Sequence, residues 1–347
     1  MSRVVVITDP ACDAHTWHGH VERAERLQAI RRAIDLADLV PALEIRRPQS
    51  AAQAAVEAVH SARLLQTLRQ LSSYGGGQID ADTYVTADSW DLAHLAAGAA
   101  IDAVEAIAGS AVQRAFALMR PPGHHATPIR SMGFCLINNI AVAARYALDR
   151  LDVTRVAIVD FDVHHGNGTQ DVFYADPHVL FISSHAAPLY PGTGALDEIG
   201  DHAAAPGGTL NIPLPYGVGD VGYQRVYREV VAPALQRFQP ELILVSAGYD
   251  SHWSDPIGPM ALSINGFNRI SALLIDLADQ LCDGRIVFCL EGGYNLEALG
   301  AGVVGGLRLL LGRDPGADPL GGVAVREPDL SNVIRTVQQQ HPLLRTE

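Results

Sequence analysis

Apolar residues along this chain of 347 residues gather into short runs rich in Val, Ile, Leu and Phe, and most of these runs are separated by longer stretches of helical character. The runs Arg3–Thr8, Arg114–Met119, Val156–Asp160, Val179–Ser183, Leu242–Ala247 and Ile286–Leu290 are candidate strands. Several lack in-out alternation, the pattern of a strand covered on both faces, as in a parallel sheet. Helical spacing or Ala-rich composition marks Glu22–Asp35, Ala51–Leu71, Ser89–Ala108, Asn138–Arg150, Val221–Phe238, Gly266–Leu281 and Glu297–Leu311. This alternation predicts an α/β fold with a mostly parallel central sheet and helices on both faces. Gly75-Gly76-Gly77 and Pro206-Gly207-Gly208 are breaks of loop size only, so residues 1–347 read as a single domain.

Polar and glycine-rich clusters sit at the carboxyl ends of the runs: Arg120 to His125, Asp160 to Gly168, Ser184-His185, Gly248-Tyr249-Asp250 and Glu291 to Tyr294. In an open parallel sheet these ends share one edge, where ligands bind. In an extended backbone Asp160, Asp162 and His164 point to one side, about 6–7 Å between next-but-one side chains, so that Asp162 and His164 could converge on one ion. A buried strand ending in solvated polar residues, with a turn at Gly166 and Gly168, fits the same stretch. Asp250, closing the Leu242–Ala247 run behind a glycine, is the candidate third ligand of an open zinc site, with a cap or turn role as the other reading. His124-His125, beside the rigid Pro121-Pro122-Gly123 turn, suggests proton transfer.

Composition narrows the chemistry. The hydrophobic share of 48% against 18% charged residues suits a large core. A net charge of −13 argues against a nucleic-acid surface and mildly favours cationic substrates. All 25 basic residues are arginine, which excludes a Walker phosphate loop, a Schiff-base enzyme and a lysine base. The segment from Ser2 to Thr8 is too short for a signal-peptide core and no apolar run reaches a membrane span, so a cytoplasmic protein without membrane contact is expected. Cys12, Cys135, Cys282 and Cys289 lack C-x-x-C spacing and read as reduced core thiols. A homo-oligomer is compatible with the sequence, and nothing in it distinguishes a dimer from a tetramer.

Six motifs in order carry a family resemblance: RPPGHH at 120–125, GFCLINN at 133–139, DFDVHHGNGTQ at 160–170, YPGTG at 190–194, SAGYD at 246–250 and EGGYN at 291–295. Together they resemble the zinc-dependent histone deacetylase superfamily, which includes acetylpolyamine amidohydrolases and acetoin-utilisation proteins. His20–Leu27 also resembles its HPERPERL segment, with Val21 and Ala24 where prolines are usual. Asn167 and Glu291 look more like the class II and bacterial branch. The resemblance implies one zinc held by Asp162, His164 and Asp250. It implies His125, partnered by Asn167, as general base and then acid, and His124, paired with Asp160, as electrostatic support. It further implies Tyr294 as oxyanion donor, Phe134 and Tyr190 as tunnel walls, and the Gly133 carbonyl as acceptor for the substrate amide N–H.

A potassium ion is implied at Asp160, the backbone carbonyls of Asp162 and His164, and the Ser183 hydroxyl. Arg26 matches an arginine near the family's product-release cavity, although local sequence reads it as a surface residue. Ile257 stands where polyamine-selective relatives carry a gatekeeper acid, which favours acyl-lysine in a peptide or protein over a free acylated amine, with acetyl or a longer acyl group. A two-manganese ureohydrolase would need bridging carboxylates where His165-Gly166 and Ser251-His252 stand. A dinucleotide site would need more glycine than Gly19 between Asp9 and His20. A catalytically silent zinc module is the non-enzymatic alternative, disfavoured by the completeness of the set.

Overall fold

The computed structural model describes residues 4–108 and 114–345. Its strands are β1 (Val4–Ile7), β2 (Leu43–Arg46), β3 (Gly76–Gln78), β4 (Tyr84–Thr86), β5 (Arg114–Ala117), β6 (Val156–Asp160), β7 (Val179–Ala186), β8 (Thr209–Leu214), β9 (Leu242–Ala247) and β10 (Ile286–Leu290). Eight of them form one sheet in the order β2-β1-β5-β10-β9-β6-β7-β8, with β3 and β4 a separate pair. Every pairing in the large sheet is parallel. The chain is therefore the α/β protein that the apolar runs predict, and all six candidate strands form, Arg3 alone lying outside the described residues.

Burial on both faces explains the missing alternation: every residue of β6, β7, β9 and β10 is buried. Each buried Val, Ile or Leu there stabilises the fold by about 1.5–3 kcal/mol. The five strands whose ends carry polar clusters, β5, β10, β9, β6 and β7, are contiguous in the sheet, so those ends form one cleft rather than scattered loops.

Departures from the expected elements have local causes. The stretch Ala51–Leu71 is two helices, Gln53–Glu57 and Ala62–Ser73. Between them the Ser61 amide donates to the Pro128 carbonyl at 2.8 Å, and the His60 ring lies 2.9 Å from the Thr127 carbonyl and accepts from the Asn138 amide at 2.9 Å. These bonds to distant loops displace the helical ladder. The helix expected from Glu22 begins at Glu25, because the Glu22 carbonyl accepts from Tyr84 and its carboxylate is occupied by arginines. A π turn, Tyr227–Val231, interrupts the helix over 220–238 just before Pro233, which lacks the N–H an α-helical turn requires.

Glu22 links the N-terminal segment to the β5 loop. Its carboxylate contacts Arg120 and Arg26, all three residues being fully buried, and Arg120 also donates to the carbonyls of Cys12 at 3.1 Å and His15 at 2.7 Å. Burial alone would raise the Glu22 carboxyl, but Arg120 and Arg26 outweigh it and bring it down to about 2 from the usual 4.5. Its stabilisation is therefore present above pH 4.5 and is lost as the pH falls through about 2. Glu22→Gln, which leaves two buried guanidinium groups uncompensated, should cost about 3–5 kcal/mol at pH 7 in denaturant titrations. The gap to wild type should narrow between pH 4.5 and pH 2; a gap that widened there would contradict this account.

Candidate active site

β6 ends at Asp160 and the chain then turns on its own carboxylates. Asp160 Oδ1 accepts from the Asp162 amide at 3.0 Å, and Asp162 Oδ1 accepts from the His164 amide at 2.9 Å. The expected extended backbone through His164 is thus replaced by successive side-chain-to-backbone turns, which sequence alternation could not show. The turns still bring Asp162 and His164 together, and Asp250, from the end of β9, joins them. Ligand atoms of Asp162, His164 and Asp250 all lie within 4.8 Å of one another and all three residues are buried. His164 Nδ1 is 3.0 Å from Asp162 Oδ1 and 3.3 Å from Asp250 Oδ2.

This trio fits a divalent metal. Asp250 Oδ1 accepts from the Val163 amide at 2.9 Å, whereas the buried Oδ2 has no hydrogen-bond partner. Asp162 Oδ2 accepts from the Gly292 amide at 2.8 Å, which aims the carboxylate. One imidazole nitrogen and two carboxylate oxygens form an ordinary zinc donor set with room for further ligands. Burial would lower the His164 pKa, yet the adjoining Asp162 and Asp250 carboxylates raise it to about 10, so the pocket favours a positive charge at this point.

The loop after β5 supplies the histidines. Their ring centroids are 4.0 Å apart; His124 Nδ1 lies 2.9 Å from Asp160 Oδ2, and His125 Nδ1 lies 2.8 Å from Asn167 Oδ1. The two rings therefore have different partners and different charge. Burial disfavours a charged His124, but Asp162 and Asp160 overcome it and raise its pKa well above 6.5. Burial, with His124 and His164 nearby, drives His125 well below 6.5 and keeps it neutral.

Above these groups is a cavity of about 170 Å³ whose lining includes His124, His125, His164, Phe134, Tyr190, Tyr294 and Ile257. Tyr190 meets His125 edge-on at 5.1 Å, and Phe134 meets Tyr294 edge-on at 5.7 Å. Gly133 (φ +55°) has to be glycine: a Cβ would stand 2.4 Å from the His125 ring and 2.9 Å from Tyr190. Burial raises the Tyr294 hydroxyl well above 10, so it remains a hydrogen-bond donor.

One expectation changes, and two further residues join the cavity. Arg26 is fully buried rather than at the surface; it donates to the Gly293 carbonyl at 2.8 Å and its guanidinium carbon sits 4.9 Å from the centre of the Tyr294 ring. Of the side chains implied for potassium, Asp160 meets His124 and the Asp162 amide, and the Ser183 hydroxyl lies 2.9 Å from His185 Nδ1. Asp82 and Pro122 also line the cavity. Pro122 was readable from its place beside His124, whereas Asp82 lies in a turn before β4 that carries no motif.

The chain matches the histone deacetylase domain family over residues 20–308 and belongs to it. It is 41% identical over 328 residues to histone deacetylase 10, chloroplastic, of Oryza sativa subsp. japonica, covering 90% of this chain and 74% of that protein. A probable deacetylase of Archaeoglobus fulgidus is 43% identical over 283 residues, covering 80% of this chain and 77% of that protein. The histone deacetylase-like amidohydrolase of Pseudomonas aeruginosa is 38% identical over 278 residues, covering 80% and 73% respectively. The crystal structure of the HDA15 HD domain superposes with a TM-score of 0.87 at 33% identity, over 99% of this chain and 97% of that one. The protein is accordingly a hydrolase of the deacetylase class. Similar identities to plant, archaeal and bacterial proteins favour no single branch, and the chloroplastic rice relative means that membership does not carry the cytoplasmic placement with it. No helix among the described residues is long and apolar enough to cross a membrane.

Gly292 offers a test of the metal pocket. A Cβ there would fall 2.1 Å from Asp250 Oδ2 and 2.6 Å from Asp162 Oδ2. Gly292→Ala should weaken zinc binding by about 10- to 100-fold in competition with a chelator; wild-type affinity would show that these carboxylates do not hold the metal.

Proposed function

We propose that the protein is one catalytic domain, a zinc-dependent amidohydrolase that removes acetyl or other acyl groups from acylated lysine side chains. The observation that carries this reading is the convergence of Asp162, His164 and Asp250 beside the neutral His125, at the base of an aromatic-walled cavity. Zinc, held by those three residues, would supply Lewis acidity toward the amide carbonyl and the attacking water.

The remaining work belongs to side chains. His125, its Nδ1 held by Asn167, presents Nε2 to take a proton from water and to return it to the departing amine. His124 stays cationic between Asp160 and Asp162 and stabilises negative charge as it develops. The Tyr294 hydroxyl donates to the oxyanion, an interaction that strengthens as the carbonyl oxygen gains charge and so lowers the barrier. Phe134 and Tyr190 flank the aliphatic arm and exclude water, and the Gly133 carbonyl accepts the amide N–H. Water and amide are consumed; carboxylate and free amine are released.

Ile257 at the cavity gives a distal ammonium no counter-charge, which favours acyl-lysine in a peptide or protein. Asp82 on the same cavity supports an acylated polyamine as the second reading, since its carboxylate could meet such an ammonium. A competition panel of acyl-lysine peptides against N-acetylputrescine with zinc-loaded protein decides between them: faster peptide cleavage is expected, and a clear preference for N-acetylputrescine would reverse the assignment. Zinc bound at one per chain without turnover of either would favour a silent module.

Two substitutions separate the roles. Asp250→Ala should lose zinc and activity together. Tyr294→Phe should keep full zinc content while kcat falls by about 10²–10³-fold; unchanged turnover would remove Tyr294 from the mechanism.

A further inference from the structure

We propose that Glu291 is the positioning residue of the His124-His125 pair, acting through the reach of its Oε2 atom rather than through its charge. Its effect on turnover rests on the reading of His125 as the base. Glu291 lies at the end of β10 and is fully buried. Oε2 accepts two hydrogen bonds from consecutive amides, Gly123 at 2.7 Å and His124 at 3.1 Å. Among the described residues these two amides have no other acceptor. Oε1 accepts from the Ser246 hydroxyl at 3.2 Å, so the side chain bridges from β10 to both of its neighbours, β9 on one side and the β5 loop on the other.

The backbone around Glu291 is tied equally firmly. Its amide donates to the Ala247 carbonyl at 3.0 Å, and the next amide, Gly292, donates to Asp162 Oδ2 at 2.8 Å. The side chain therefore references the histidine loop to the same strand end that orients a candidate metal ligand and leads into Tyr294. Without that acceptor, two buried amides lose their partner and the loop carrying both imidazoles is free to shift against the metal pocket.

Chemistry separates reach from charge. Both amides converge on one oxygen, which a glutamine carbonyl supplies equally well, while the glutamine amide can donate to the Ser246 oxygen. Aspartate keeps the charge but is one methylene short. If position governs, E291Q outperforms E291D; if charge governs, the order reverses.

The test uses the zinc-loaded full chain and reads kcat, KM, zinc stoichiometry and amide hydrogen exchange at Gly123 and His124. E291Q should retain exchange protection, full zinc and a kcat within about threefold of wild type. E291D should lose protection at both amides and about 10- to 100-fold in kcat at unchanged KM. The reverse order, or equal protection in both variants, would overturn the proposal. Should E291D not accumulate as folded protein, E291Q alone decides: lost protection overturns it and retained protection with near-wild-type kcat sustains it. A wild-type protein that turns over neither acyl-lysine peptide nor N-acetylputrescine would sink the reading of the site, while hydrogen exchange would still decide what Glu291 does.

Discussion

Asp162 and Asp250 are two carboxylates removed from water and aimed at one point, and the rest of the site is arranged around that confrontation. Neither has solvent to screen it; burial and the nearby Asp162 raise the Asp250 carboxyl, whereas His124 and His164 hold Asp162 low. Backbone amides of Val163, His164 and Gly292 meet one side of the pair, but donors of that kind cannot neutralise two charges. His124 and His164, both raised, bring positive charge beside the pair, while the buried Asp250 Oδ2 has no hydrogen bond of its own and is left open to a further cation. Glycine at 248 and 292 follows from the same constraint, because a Cβ at either place would lie within 2.1 Å of one of the acid oxygens.

Holding such a pair requires a scaffold that does not give, and the sheet provides it. β9 and β6 are register neighbours, Ser246 opposite Asp160, so the two acids leave adjacent strand ends. The histidine loop comes from β5, two strands farther along, and is fixed from three directions: by Arg120 on Glu22, by His60, and by the Glu291 carboxylate. Neighbouring parts of the cleft therefore keep their spacing through rigid crossings, and the electrostatics of His124 and His125 can differ although the residues are consecutive.

Much of this was legible in the sequence because buried parallel strands advertise themselves as unbroken apolar runs. The edges did not. β2 reads Leu-Glu-Ile-Arg with partly exposed positions, and β8 contains Pro213, which an interior strand would exclude but an edge strand tolerates. Within the site, residues following strand ends in recognisable motifs could be placed, whereas Asp82 reaches the cavity from a small hairpin whose position depends on tertiary packing. Arg26 misled for a related reason: an arginine on an amphipathic helix is ordinarily solvated, and it is the buried Glu22 together with the distant carbonyls of Glu291 and Gly293 that turns it inward.

His60 adds a quieter property. Its ring bridges a carbonyl and an amide, so it has to donate from one nitrogen and accept at the other, which only the uncharged tautomer can do. Burial lowers its pKa to about 4. The clasp is whole above the ring's ordinary 6.5, loosens as acidity rises and is gone below about 4. The loop that bears His124 and His125 is thus fastened by a third imidazole, uncharged at neutral pH, whose failure in acid would open the loop from behind.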